Sequence, residues 1–184
     1  DNSLFTVLGD QLLMIDSADY EQNSSLSVRL QATDRDGLTA TKSFEIEVLD
    51  SNDAPSEIVA STSFINSHAP ARSTIADLSA LDQDLNDRHT FTLVDSALDN
   101  HLFYLSGRRL KILPNVQIGD QDVYLVKLQS TDRSGASVDQ VLEFSVNHAP
   151  TEITASRLDL SENLLVGDLV LSFSTLDPDS NDLF

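Results

Sequence analysis

Apolar and polar residues alternate along much of this chain. Leu26, Val28, Leu30 and Ala32 are separated by single polar residues, as are Phe44, Ile46 and Val48, and again Leu142, Phe144 and Val146. A period of two places every apolar side chain on one face of an extended segment, so the pattern predicts half-buried antiparallel strands. Two hairpins are expected. One runs from Leu4 to Leu8, turns at Gly9-Asp10 and returns from Gln11 to Ile15; the other runs from Leu102 to Leu105, turns at Ser106-Gly107 and returns from Leu110 to Leu113. Short strands with turn residues at intervals of roughly ten positions predict an all-β sandwich. No capped segment sustains a helical period, and a single helical turn fits only near Thr74 to Leu81.

The chain also repeats itself. Asn52-Asp53-Ala54-Pro55-Ser56-Glu57-Ile58 is matched by Asn147-His148-Ala149-Pro150-Thr151-Glu152-Ile153, an offset of 95 residues. Leu81-Asp82-Gln83-Asp84-Leu85-Asn86-Asp87 matches Leu176-Asp177-Pro178-Asp179-Ser180-Asn181-Asp182 at the same offset. Asp1-Asn2-Ser3-Leu4-Phe5 answers to Asp99-Asn100-His101-Leu102-Phe103, and Ala32-Thr33-Asp34 to Ser130-Thr131-Asp132, both at 98. Agreement on one domain-sized period implies tandem repeats. Residues 1–53 read as the second half of one repeat, 54–148 as a whole repeat, and 149–184 as the first half of a third. On this reading neither end is a domain boundary. The segment was cut from a longer array, or the terminal halves complete each other between chains by homotypic exchange.

Charge narrows the partners. With 11 Lys and Arg against 30 Asp and Glu, the net charge of −19 disfavours nucleic acid and anionic membrane surfaces and favours cations. The 40% hydrophobic content is enough for a packed core. The chain has no Cys, which excludes disulfides, Cys-based zinc sites and thiol catalysis. No apolar run is long enough to cross a membrane as a helix, and no secretory leader is recognisable, so any targeting signal is expected outside this segment.

The acids gather in loops, at Asp19/Glu21, Asp34/Asp36, Asp50/Asn52/Asp53, Asp82/Asp84/Asn86/Asp87, Asp132 and Asp177/Asp179. Two carboxylates about 5 Å apart repel by roughly 3 kcal/mol at an effective dielectric near 20, so a cluster of them calls for a cation. Oxygen donors on flexible loops, without Cys or paired His, favour Ca²⁺ over transition metals. Neither an EF-hand loop nor a glycine-rich calcium nonapeptide is present, since Asp87 stands where an EF-hand starting at Asp82 needs Gly. The site must be assembled from separate loops.

Leu49-Asp50-Ser51-Asn52-Asp53-Ala54-Pro55 resembles the D-x-N-D-x-x-P linker of cadherin repeats. Asp19-Tyr20-Glu21 is similar to their D-R-E/D-Y-E motif, Asp82-Gln83-Asp84 to their D-x-D, and Asp132 to the Asp of their A-x-D-x-G segment. The N-x-A-P-x-E-I openings and the absence of Cys resemble most the tandem cadherin-like repeats of large bacterial surface adhesins. The resemblance implies tandem antiparallel Greek-key β-sandwiches of cadherin or immunoglobulin-like type, with Ca²⁺ held at the junctions between neighbouring repeats. It implies an extracellular or cell-surface extender supporting cell adhesion. Carried over by position, the first junction would use Asp19, Glu21, Asp50, Asn52, Asp53, Asp82, Asp84 and Asp132. At the second junction Ser67, Gln117, Gly119 and the linker Ser145-Val146-Asn147-His148 replace the expected acids, leaving Asp177 and Asp179, so weak, partial or no binding is expected there. Glu162 would serve a junction beyond residue 184.

Catalysis is not expected: there is no Gly-x-Ser-x-Gly elbow, phosphate-binding glycine loop or His-Glu-x-x-His motif. Each of His68, His89, His101 and His148 stands alone and reads as a surface or turn residue. The rival reading is a carbohydrate-binding module for extracellular polysaccharide. Its raw material is thin, with no Trp and three Tyr, of which Tyr20 lies inside the acidic motif.

Overall fold

A computed structural model describes every residue except Ser96, Ser161 and 180–184. The Leu176 to Asp182 stretch is thus described only through Asp179, and Ser161 of Ser161-Glu162-Asn163 lies outside the described residues. The chain divides into two units: Asp1–Ala54 with Asp82–Asp87, and Pro55–Leu81 with Arg88–Phe184.

The first unit carries two hairpins. Strand β1 (Phe5–Leu8) pairs with β2 (Gln11–Met14), and β3 (Ser25–Thr33) with β4 (Thr39–Glu47), all antiparallel. Gly9 opens the first turn at φ +65, a conformation that a side chain bearing Cβ disfavours. Alternation along β3 buries Leu26 and Val28. The repeated Asp-Asn pair has a mechanical role here. Asp1 Oδ2 accepts the Ser27 amide at 2.8 Å, while Asn2 both accepts from the Arg29 amide and donates to its carbonyl, each at 2.8 Å. These side chains satisfy backbone groups of β3 that would otherwise need a strand partner.

Among its described residues the second unit holds ten strands: β5 (Glu57–Ala60), β6 (Phe64–Asn66), β7 (Thr74–Leu81), β8 (Thr90–Leu93), β9 (Phe103–Ser106), β10 (Arg109–Ile112), β11 (Val123–Thr131), β12 (Ser137–Asn147), β13 (Glu152–Ala155) and β14 (Phe173–Leu176). Two four-stranded sheets, ordered β5-β7-β10-β9 and β6-β12-β11-β8, form a β-sandwich; β13 and β14 pair separately. Ile58, Leu78, Leu110, Tyr124, Val126 and Phe144 fill the space between the sheets, each almost wholly buried. Phe103 meets Tyr124 edge to face, ring centroids 6.0 Å apart.

Three details correct the sequence reading. Thr74–Leu81 is strand β7, not a helical turn: Ala76, Leu78 and Ala80 alternate inward, and the segment pairs with both β5 and β10. The second hairpin turns at Gly107-Arg108, because Ser106 is still paired with Arg109. Strand β6 runs parallel to β12, whereas every strand was expected to be antiparallel. Only Ser61 to Ser63 separate β5 from β6, yet the two strands belong to opposite sheets, so this short link carries the chain from one sheet to the other instead of closing a hairpin.

The Asp-Asn clamp recurs. Asp99 Oδ2 accepts the Leu125 amide at 2.8 Å, and Asn100, itself buried, accepts from the Lys127 amide and donates to the Lys127 and Val94 carbonyls. The matching sequence was legible as a repeat marker; that both residues replace a missing strand neighbour was not.

Candidate metal centre

Seven of the eight residues singled out by sequence, Asp19, Glu21, Asp50, Asn52, Asp53, Asp82 and Asp84, lie in the first unit, and Asp132 lies in the second. Glu21 follows the turn after β2, Asp50 follows β4, and Asp84 sits in the segment after β7. Carboxylate oxygens of these three come within 4.8 Å of one another, with Glu21 and Asp50 exposed and Asp84 half-buried. They border a cleft of about 500 Å³ that is also lined by Tyr20, Ser24, Gln83 and Leu85.

The surrounding acids are arranged by local hydrogen bonds. Asp84 Oδ2 accepts the Asp53 amide at 2.8 Å, and Asp82 Oδ1 accepts the Asp84 amide at 3.0 Å. Asn52 donates to the Asp53 carbonyl at 2.8 Å. Asp19 folds back on its own loop, taking the Gln22 amide and side-chain amide at 3.0 and 2.7 Å. Asp132 Oδ1 accepts the amides of Gly135 and Ala136 at 2.6 and 2.8 Å, shaping the turn between β11 and β12, as Asp34 does for the amides of Asp36 and Leu38. A short carboxylate that bonds backbone two to four residues ahead is a turn-former by nature.

The electrostatics follow from crowding. Loss of hydration pushes the Glu21 carboxyl above the ordinary range; its own backbone amide opposes this, and the negative charges of Asp50, Asp53 and Asp19 push it further up. A divalent cation would reverse that repulsion. Two oxygens on opposite sides of one Ca²⁺ lie about 4.6 to 5.2 Å apart, given bonds of about 2.3 to 2.6 Å, so a separation within 4.8 Å is compatible with a shared divalent cation without selecting one. The all-oxygen donors are those a hard cation takes, and the described residues of this cluster include neither Cys nor His.

The sandwich, with a short first strand split between two sheets and a partner order of β5-β7-β10-β9 against β6-β12-β11-β8, is a cadherin-type fold. Over 96% of this chain and 48% of that one, it is similar to Drosophila N-cadherin EC1-4, with a TM-score of 0.60 and 16% identity. Human protocadherin-24 EC1-2 is similar at a TM-score of 0.54 and 20% identity, over 79% of this chain and 78% of that one. In sequence, the chain is 30% identical to mouse protocadherin Fat 2 over 89% of its own length. It spans only 4% of that protein. No family model matches.

Proposed function

We propose that this chain is a calcium-stiffened structural module of a cell-surface or secreted adhesin, non-enzymatic, built from tandem repeats with the phase 1–53, 54–148 and 149–184. Its role is to extend and rigidify, so that adhesive domains are held away from a surface. The observation carrying this reading is the convergence of Glu21, Asp50 and Asp84, from three separate loops, within 4.8 Å. The likeness to cadherin extracellular structures supports an extracellular setting, and the N-x-A-P-x-E-I openings support a bacterial surface protein as the parent.

Glu21, Asp50 and Asp84 would hold Ca²⁺ directly. Asp19, Asn52, Asp53 and Asp82 lie on the same loops of the first unit, whereas Asp132, in the second unit, is engaged in the turn between β11 and β12. When bound, the ion neutralises the mutual repulsion of these carboxylates; the chain's part is to keep them on short, internally bonded loops. Asp82 fixes the Asp84 backbone, and the Asp53 amide fixes the Asp84 carboxylate. Extracellular calcium modules bind with dissociation constants of about 10⁻⁴ to 10⁻³ M. Calorimetric titration of the chain with millimolar Ca²⁺ is expected to give saturable heat and a higher melting temperature. No heat and no stabilisation would reject the reading.

A further inference from the structure

The first unit's cluster has a counterpart in the second unit, at the positions reached by the repeat offsets of 98 and 95. Glu21 corresponds to Gly119, Asp50 to Ser145, Asp53 to His148 and Asp84 to Asp179. One contact survives unchanged in kind. The amide of residue 53 donates to Asp84 Oδ2 at 2.8 Å, and that of residue 148 donates to Asp179 Oδ2 at 2.5 Å. The rest is different. His148 Nδ1 also lies 3.3 Å from Asp179 Oδ1, so a ring carrying its hydrogen on Nδ1 donates to the second oxygen of the same carboxylate. Both side chains are about three-quarters buried.

The position of Glu21 is closed as well as substituted. Gly119 has φ +119, and a Cβ built on it would fall 2.5 Å from the Ser67 carbonyl oxygen and 3.2 Å from the Ser67 carbonyl carbon and Cα. Backbone therefore fills the space from which a glutamate would have to start. Ser67 is itself the residue standing where the cadherin pattern expects an early Glu. Loss of the acid and loss of the room for it coincide.

We propose that this second position takes no divalent cation and is closed instead by a protein-only clasp, in which His148 grips both oxygens of Asp179 through its amide and its ring. The clasp takes the place that the metal holds in the calcium reading of the first unit, and rests on that reading only for the comparison. The chain would thus alternate a calcium-dependent position with a calcium-independent one.

The test is amide-resolved NMR on the full 184-residue chain, titrated with calcium chloride to about 10 mM, well above the usual range for extracellular modules. Amides of Glu21, Asp50 and Asp84 are expected to shift and saturate, while those of His148 and Asp179 stay in place. In His148→Ala, hydrogen exchange at the residue-148 and Asp179 amides should accelerate about fivefold or more, the loss of one side-chain hydrogen bond, with no rescue by calcium. His148→Gln, which retains a side-chain donor, should recover part of the protection. Saturable calcium shifts at His148 and Asp179, or unchanged exchange in His148→Ala, would overturn the clasp. Silence at Glu21, Asp50 and Asp84 would refute the calcium reading alone, because the exchange experiment still decides the clasp.

Discussion

Replacing Gly119 with alanine measures how firmly the second unit excludes a side chain at the position equivalent to Glu21. Two penalties combine. At φ +119 a residue bearing Cβ leaves even the ordinary left-handed basin, at a cost of about 1 to 3 kcal/mol. The new methyl would also meet three backbone atoms of Ser67, the nearest at 2.5 Å, and backbone must recede by most of an ångström to relieve it. Overpacking of that kind costs about 1 to 3 kcal/mol more. The Gly119 amide donates to the Tyr124 hydroxyl at 3.0 Å, and that hydroxyl donates to Asp120 at 2.7 Å, so any displacement reaches the core tyrosine. The expected loss is about 4 kcal/mol. Gly107→Ala is the control: its φ is +61 and no heavy atom lies within 4 Å of the added carbon, so about 1 to 2 kcal/mol is expected. Urea denaturation followed by tyrosine fluorescence suits a chain without Trp. If Gly119→Ala proves no worse than Gly107→Ala, the steric argument is wrong.

Asp50→Asn is expected to remove most of the calcium stabilisation, which at about 10 mM Ca²⁺ and dissociation constants of about 10⁻⁴ to 10⁻³ M amounts to about 1.4 to 2.7 kcal/mol; melting curves with calcium and with chelator check this, and an unchanged calcium shift would contradict it. Ser130 is fully buried and its hydroxyl oxygen has no hydrogen-bond partner, so Ser130→Ala is expected to stabilise by about 1 kcal/mol in chemical denaturation, a substitution already present at the equivalent Ala32. Asp139 is held below the ordinary carboxylate range by hydrogen bonds from Lys127 and then Gln129, against a smaller desolvation effect. Its contribution is therefore present above the unfolded Asp value of about 3.9 and lost as pH falls through the lower folded value. Added salt or Lys127→Ala should flatten that acid limb, measured by denaturation at a series of pH values. Tyr124 moves the other way: burial first, then its hydrogen bond to Asp120, raise its hydroxyl above the ordinary range. Stability from it is complete below the unfolded tyrosine value of about 10 and declines as pH rises beyond, an alkaline loss that Tyr124→Phe should abolish.

Local pattern and tertiary assembly divide this protein cleanly. Alternation at Leu26, Val28, Phe144 and Val146 and glycine turns at Gly9 and Gly107 made the strands and hairpins legible, because a period of two and a positive φ are properties of a few consecutive residues. The 95-residue echo is likewise a property of the sequence alone, visible when the chain is aligned with itself. Thr74–Leu81 was misread because its alternation, through Ala76, Leu78 and Ala80, relies on small residues whose burial depends on β5 and β10 beside them. The parallel run of β6 depends on which sheet edge is open when the chain arrives, a fact no short window contains. Glu21, Asp50 and Asp84 were picked out as acids on turns, but their closeness is set by three loops folding together. His148 was legible only as a missing acid; its hold on Asp179, and the backbone that fills the space beside Gly119, exist only once residues far apart in sequence are packed, because both are contacts and a contact has no meaning along one strand of chain.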